Sequence, residues 1–268
     1  MTKLNTSATG VQKYVRGLVL LIVVTAGAFI VVGQQQTPVT KNDLVARRLK
    51  VNTAAPGTIT HVTMAPQSRS VDLTDQLKLV NVETKLVTFK GRKALRVNDA
   101  APAGAGDEGR LVLLQKTDFQ DGTIEVDLAG EPGPGAGEGA RGFVGIAFRV
   151  GADAARFECF YLRPTNGRAE DQLRRNHSVQ YISIPGFPWQ LLRKDFPAKY
   201  ETYVDLIAGE WTRVKIYVRG KEARLFVNGA EQPTLIVDNL LQGQTRGAVA
   251  LWIGPGTVAH FANLQISK

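Results

Sequence analysis

At 268 residues the chain is long enough for one large domain or two small ones, and its single cysteine, Cys159, excludes an intramolecular disulfide. Three positive charges of the formal net +9 fall in residues 1–33, which hold no acid, so the remainder carries +6 with its arginines interleaved among Asp and Glu. That pattern lacks the continuous basic stripe of a nucleic-acid binder, and nucleic acid is not expected as a partner.

At the N-terminus, Lys3, Lys13 and Arg16 precede the uncharged run "GLVLLIVVTAGAFIVVG" (17–33), and polar "QQQTPVTKND" follows it. A positive flank, an apolar centre and a polar exit are the marks of a secretion signal. The run also approaches the length that spans a bilayer, so cleavage after Gly33 and retention as an N-terminal membrane anchor are both open. Either way the remainder is expected to be exported, to the periplasm, the cell surface or the medium, with the membrane touched only through this segment. Residues 34–70, rich in Thr, Pro, Ala and Gln, read as a flexible tether with at most one early strand, and 71–268 as the folded domain.

Within that domain the apolar period is two. "TIEVDLAG" sets Ile124, Val126 and Leu128 against Glu125 and Asp127, and "WTRVKIYVRG" sets Val214, Ile216 and Val218 against Arg213, Lys215, Tyr217 and Arg219. "GFVGIAFRV" places Val144, Ile146, Phe148 and Val150 on one face. A turn at Gly220 joins "WTRVKIYVRG" to "KEARLFVNG" as a hairpin, Asn228 and Gly229 supply the next turn, and "GAVALWIG" and "VAHFANLQI" close the chain as strands. "AAPAGAGDEG" and "EPGPGAGEGARG" read as surface loops. Ten or more short strands without a helix of normal length predict an all-β fold, an antiparallel jelly-roll β-sandwich.

The succession "FQDGTIEVDLAG", "GFVGIAFRV", "GEWTRVKIYVRGKEARLFVNG" and "GAVALWIGPGTVAHFANLQI" resembles the concanavalin A-like lectin and glucanase superfamily over residues 75–268. Within that superfamily it is similar to the laminin G-like and 3-keto-disaccharide hydrolase domains. The resemblance implies an exported protein that binds or acts on a saccharide. Its alternatives are a hydrolase of the 3-keto-disaccharide type and a laminin G-like module whose partner is a cell-envelope protein.

The stretch "RPTNGRAEDQLRRNHSVQYISIPGFPWQLL" (163–192) departs from the strand pattern, and its length points to function rather than connection. Arg163, Asn166, Gln172, Arg174, Arg175, Asn176 and His177 supply donors and acceptors suited to vicinal hydroxyls, while Tyr181 and Trp189 offer apolar faces to a pyranose. These nine residues are the candidate ligand-binding set, on a loop bordering the concave sheet. For Trp189, core packing and ligand stacking are equally open.

Catalytic carboxylates are less evident. Family-16 glycoside hydrolases of the same superfamily carry their acids on one strand, but "EVDLAGE" would spread Glu125 and Glu131 by nearly 20 Å at roughly 3.3 Å per residue, too far for a pair about 5 Å apart. Glu158, on an otherwise apolar strand, and Asp171 are the catalytic candidates. His61, His177 and His260 do not form a metal-ligand spacing, and neither a metal site nor a cofactor is expected. Cys159 lies among aromatics and reads as a small packed hydrophobe.

Overall fold

The computed structural model describes residues 68–102, 106 and 109–268; the 17–33 run, His61 and nearly all of the tether lie outside the described residues. Two antiparallel sheets face each other. The first contains β1 (Arg69–Ser70), β3 (Val82–Phe89), β4 (Arg92–Asp99), β6 (Gly122–Pro132), β11 (Thr212–Arg219), β12 (Glu222–Val227), β13 (Leu235–Val237) and β15 (Thr257–Ser267). Their order is β13-β12-β11-β6-β15-β4-β3, with β1 added along β15. The second contains β2 (Leu77–Val80), β5 (Leu111–Phe119), β7 (Val144–Val150), β8 (Phe157–Leu162), β9 (Val179–Ile184), β10 (Glu201–Thr202) and β14 (Gly247–Ile253), in the order β10-β9-β8-β7-β14-β5-β2. The all-β antiparallel sandwich expected from the period-two runs is the architecture observed.

Side-chain alternation explains the first sheet directly. On neighbouring strands Val214 pairs with Val126 and Ile216 with Ile124, all buried, and Leu225 and Phe261 join them in one core with Ile146, Phe160 and Leu251 of the second sheet. The opposite face is solvated and charged. There Arg213 lies beside Asp127 in register, its guanidinium 2.7 Å from Glu125 and 3.3 Å from Asp127, while Arg92 and Asn263 also bond Asp127. Glu125 and Asp127 are therefore occupied by the cations of their own sheet face. The turns read from glycine also form: Gly220, Asn228 and Gly229 all take positive φ.

The central strands of the second sheet are covered on both faces. β7 and β8 are buried along their whole length, and β9 is buried up to Ile184. This corrects the reading of 163–192 as one long loop, because β9 runs through its middle and pairs with β8 on one side and β10 on the other. With Gln180 and Ser183 as buried as their apolar neighbours, β9 has no wet face and so no alternation to recognise. Two short excursions flank it. One carries helix α1 (Gln172–Asn176), the other helix α2 (Trp189–Asp195).

His260 on β15 stacks on Phe89, ring centroids 3.7 Å apart. Burial, followed by the charge of Arg96, lowers its pKa from 6.5 to about 4. The unfolded chain therefore takes up a proton that the folded one refuses, and acidification through that window favours unfolding. Calorimetry from neutral pH down to pH 4 should show Tm falling, and His260→Phe, which keeps the ring stack, should fall less over the same interval.

Candidate functional site

Across the outer face of the second sheet, Gln180, Tyr161, Gly145 and Trp252 stand side by side in register on β9, β8, β7 and β14. A Cβ on Gly145 would lie 2.2 Å from the Phe160 carbonyl oxygen and 2.6 Å from Cβ of Tyr161, so only glycine fits there. Across this gap the rings of Tyr161 and Trp252 approach to 4.6 Å between centroids. Together with Ile182 they line a cavity of about 600 Å³. Its walls come from the glycine-rich segment 133–143 and from the two excursions around β9.

The 133–143 segment is held by Gly133 N–H donating to the Gly256 carbonyl and Gly254 N–H to that of Phe143. It brings Arg141 and Phe143 to the rim. Arg141 bonds the carbonyls of Glu138 and Ala140 within its own loop. The first excursion contributes Arg163, Asn166, Arg174 and His177; α2 contributes Trp189 and Arg193.

Arg163 is the structural centre of this wall. Only 4% exposed, it donates from Nη1 to the His177 carbonyl at 2.9 Å and from Nη2 to the Tyr161 hydroxyl at 2.7 Å, and both nitrogens reach Oε1 of Gln180 at 3.3 Å. The guanidinium also lies 4.9 Å from the Tyr161 ring centroid and 5.7 Å from that of Trp189. A second cluster adjoins it. Glu201 on β10, 6% exposed, accepts from Arg193 Nη2 at 2.8 Å and lies 2.7 Å from Nδ1 of His177. Arg193, one helical turn after Trp189, covers the indole at 4.7 Å.

The charges in the wall act on one another. Burial and then Arg174 lower the pKa of Arg141; burial is also the main cause lowering Arg163, with Arg193 and Arg141 adding to it. Burial lowers His177 below 6.5, with Arg193 and Arg163 opposing Glu201, so the imidazole is neutral at pH 7. Burial raises the Tyr161 hydroxyl. One acceptor is unspent: Asn166 Oδ1 is buried with no hydrogen-bond partner in the structure, while its Nδ2 donates to the His177 carbonyl at 3.3 Å.

Of the residues singled out in the sequence, Arg163, Asn166, Arg174, His177 and Trp189 come together around this cavity. The others do not line it. Gln172 donates to Asn176 along the exposed side of α1, and Arg175 lies 5.4 Å from the Tyr203 ring. Asp171 caps α1, accepting from Arg174 N–H at 3.0 Å. Tyr181 and Glu158 belong to the opposite face of the sheet, in the core. There the Tyr181 hydroxyl donates to Glu158 at 2.5 Å and accepts from Leu241 N–H, while Gln242 N–H donates to Glu158 at 2.9 Å. Burial raises the pKa of this carboxyl, whose bonds tie β8 and β9 to the 240–242 loop. Arg141, Phe143, Tyr161, Arg193 and Trp252 escape the sequence reading. An aromatic beside an arginine at the end of a glycine-rich run, "GARGF", was the available signal for the first two.

No family model matches the chain, and no curated protein matches it. Solved structures similar to it include the carbohydrate-binding module CBM66 from Bacillus subtilis, at 13% identity over 70% of this chain and 97% of that one, TM-score 0.46. Another is a Bacillus subtilis protein of unknown function with a galectin-like fold, at 12% identity over 72% and 89%, TM-score 0.47. A third is the Bacillus licheniformis beta-glucanase, at 11% identity over 75% and 91%, TM-score 0.41.

Two substitutions test the architecture. Arg163→Ala leaves the Gln180 and Tyr161 acceptors and the His177 carbonyl without their cation, and should cost about 3 kcal/mol of unfolding free energy in urea. Glu158→Leu strands the Tyr181 hydroxyl and the Gln242 N–H in the core and should cost roughly 2–4 kcal/mol. Equal stability of either variant and the parent would refute the corresponding role.

Proposed function

We propose that this protein recognises a carbohydrate in the cavity on the outer face of its second sheet. The observation that carries this reading is the pairing of an aromatic floor and rim, Tyr161, Trp252, Phe143 and Trp189, with polar groups converging on the same space of about 600 Å³. A sugar ring has an apolar C–H face and a periphery of hydroxyls. Aromatic faces accommodate the first, and guanidinium, imidazole and amide groups hydrogen-bond the second. The free Oδ1 of Asn166 supplies an acceptor for a hydroxyl donor.

The same site favours binding over hydrolysis. Hydrolysis by paired acids needs two carboxyl groups flanking the glycosidic bond, roughly 5–10 Å apart. Among the described residues, those lining the cavity include no Asp or Glu. We assign the activity to an exported protein on the strength of the basic flank and apolar run at 1–33, which fits recognition of an extracellular or envelope glycan.

The test is calorimetric titration of the full chain with a panel of oligosaccharides, each mixture also assayed for released sugar. Saturable binding without product is expected. Trp189→Ala should weaken it by about tenfold, the loss of one aromatic contact, whereas Trp211→Ala, at the other sheet, should leave it unchanged. Product release would turn the reading to a hydrolase, and absence of any glycan response would overturn it.

A further inference from the structure

Resting on the carbohydrate reading, we infer that the saccharide bound here is acidic, and that its carboxylate or sulfate group is received by the arginines of the cavity wall. Arg141, Arg163, Arg174 and Arg193 all line the cavity, and no carboxylate lines it with them among the described residues. Arg92, Arg110, Arg149, Arg168, Arg213 and Arg246 each lie within 3.0 Å of an Asp or Glu oxygen, as Arg193 does of Glu201. Among the described residues Arg141, Arg163 and Arg174 have no such partner, and these three share one cavity.

Glu201, behind the wall, is already engaged by Arg193 and His177. Arg163 spends its donors on neutral oxygens, and Arg141 on the carbonyls of its own loop. Arg174 is exposed on α1, and no hydrogen bond or ion pair from its guanidinium appears among the described residues. The charges of Arg141, Arg163 and Arg174 therefore face one space without an anion among the described lining residues. Their mutual repulsion is relieved when a ligand brings one.

Hydrogen-bond chemistry points the same way. Neutral hydroxyls need acceptors as well as donors, and neutral-sugar sites commonly use Asp, Asn or Gln for this. Here donors predominate: the guanidinium of Arg174, unpaired among the described residues, stands against one free amide oxygen. A ligand complementary to that wall must itself be rich in acceptors. A uronate carboxylate or a sulfate ester on a pyranose meets the requirement while leaving the C–H face for the aromatic floor.

The test titrates the full chain with two matched pairs of probes, an oligogalacturonide against its methyl ester and a dextran sulfate oligomer against dextran. Preference for an acidic member by about tenfold or more is expected, and the pair that shows it identifies the group as carboxylate or sulfate. Affinity for the preferred probe should fall between about 50 and 500 mM NaCl. Arg174→Ala and Arg141→Ala should each remove most of the preference and flatten the salt dependence while melting like the parent. Equal affinity for acidic and neutral members would overturn this inference and leave the carbohydrate reading standing. Inorganic sulfate bound as tightly as the acidic glycans would reduce the site to one for bare anions and overturn it, and failure of all four probes together with the glycan panel would overturn both.

Discussion

The buried guanidinium of Arg163 is the contact on which the geometry of the candidate site depends. It stands just past the end of β8 and at once fastens three things: the His177 carbonyl at the far end of the first excursion, Gln180 on β9, and the Tyr161 hydroxyl two residues earlier. The detour of residues 163–178 between neighbouring strands is thereby closed into a wall rather than left as a mobile loop. Neutral oxygens, not a carboxylate, accept all of these bonds. The charge of Arg163 is consequently satisfied in hydrogen-bond terms without being cancelled.

The opposite end of the same sheet's strands shows the other solution to a buried cation. Arg149, fully buried, donates to the carbonyls of Gln120, Gly220 and Gly243 and forms an ion pair with Asp121 at 3.0 Å. It draws three turns from different parts of the chain to one point. Its left-handed backbone, φ 54°, accompanies a register shift in the β7–β14 pairing between Ala248 and Ala250. Glu158 extends the anchoring to the 240–242 loop through Gln242 N–H. Core charges at this end are neutralised locally and serve the fold, which separates them from the charges around the cavity.

How much of this was legible in the sequence follows from which faces are wet. β6 and β11 alternate because one face meets solvent, and their period-two pattern is plain to read. β9 is buried on both faces and contains polar residues, so the same rule misreads it as part of a loop, and the site residues were placed on one continuous segment that the structure divides in two. The arginines, His177 and Trp189 of that segment were recognisable as chemistry-bearing, yet their neighbours were not. Trp252 is more than 60 residues from Trp189 in sequence, and it joins Tyr161 only because β7 lies between β14 and β8, with Gly145 small enough to let the rings approach. Tyr181 and Glu158 fail in another way. In a two-layer sandwich a strand sends alternate residues to opposite faces, so Tyr161 and Glu158, an odd number of positions apart on β8, belong to different environments.

That parity separates roles as well as residues. Glu158, which points inward, is held by the Tyr181 hydroxyl and the Gln242 N–H, while the outward side reaching the cavity carries aromatic rings and cations. Because Arg163 and Arg193 are held by internal partners and Arg141 by its own loop, little ordering of these side chains remains to oppose binding. Arg174 alone is free to adjust. A preformed wall of donors with one adjustable member suits a ligand that brings its own negative charge, because the attraction then acts on groups already in place, next to an apolar floor that strengthens it.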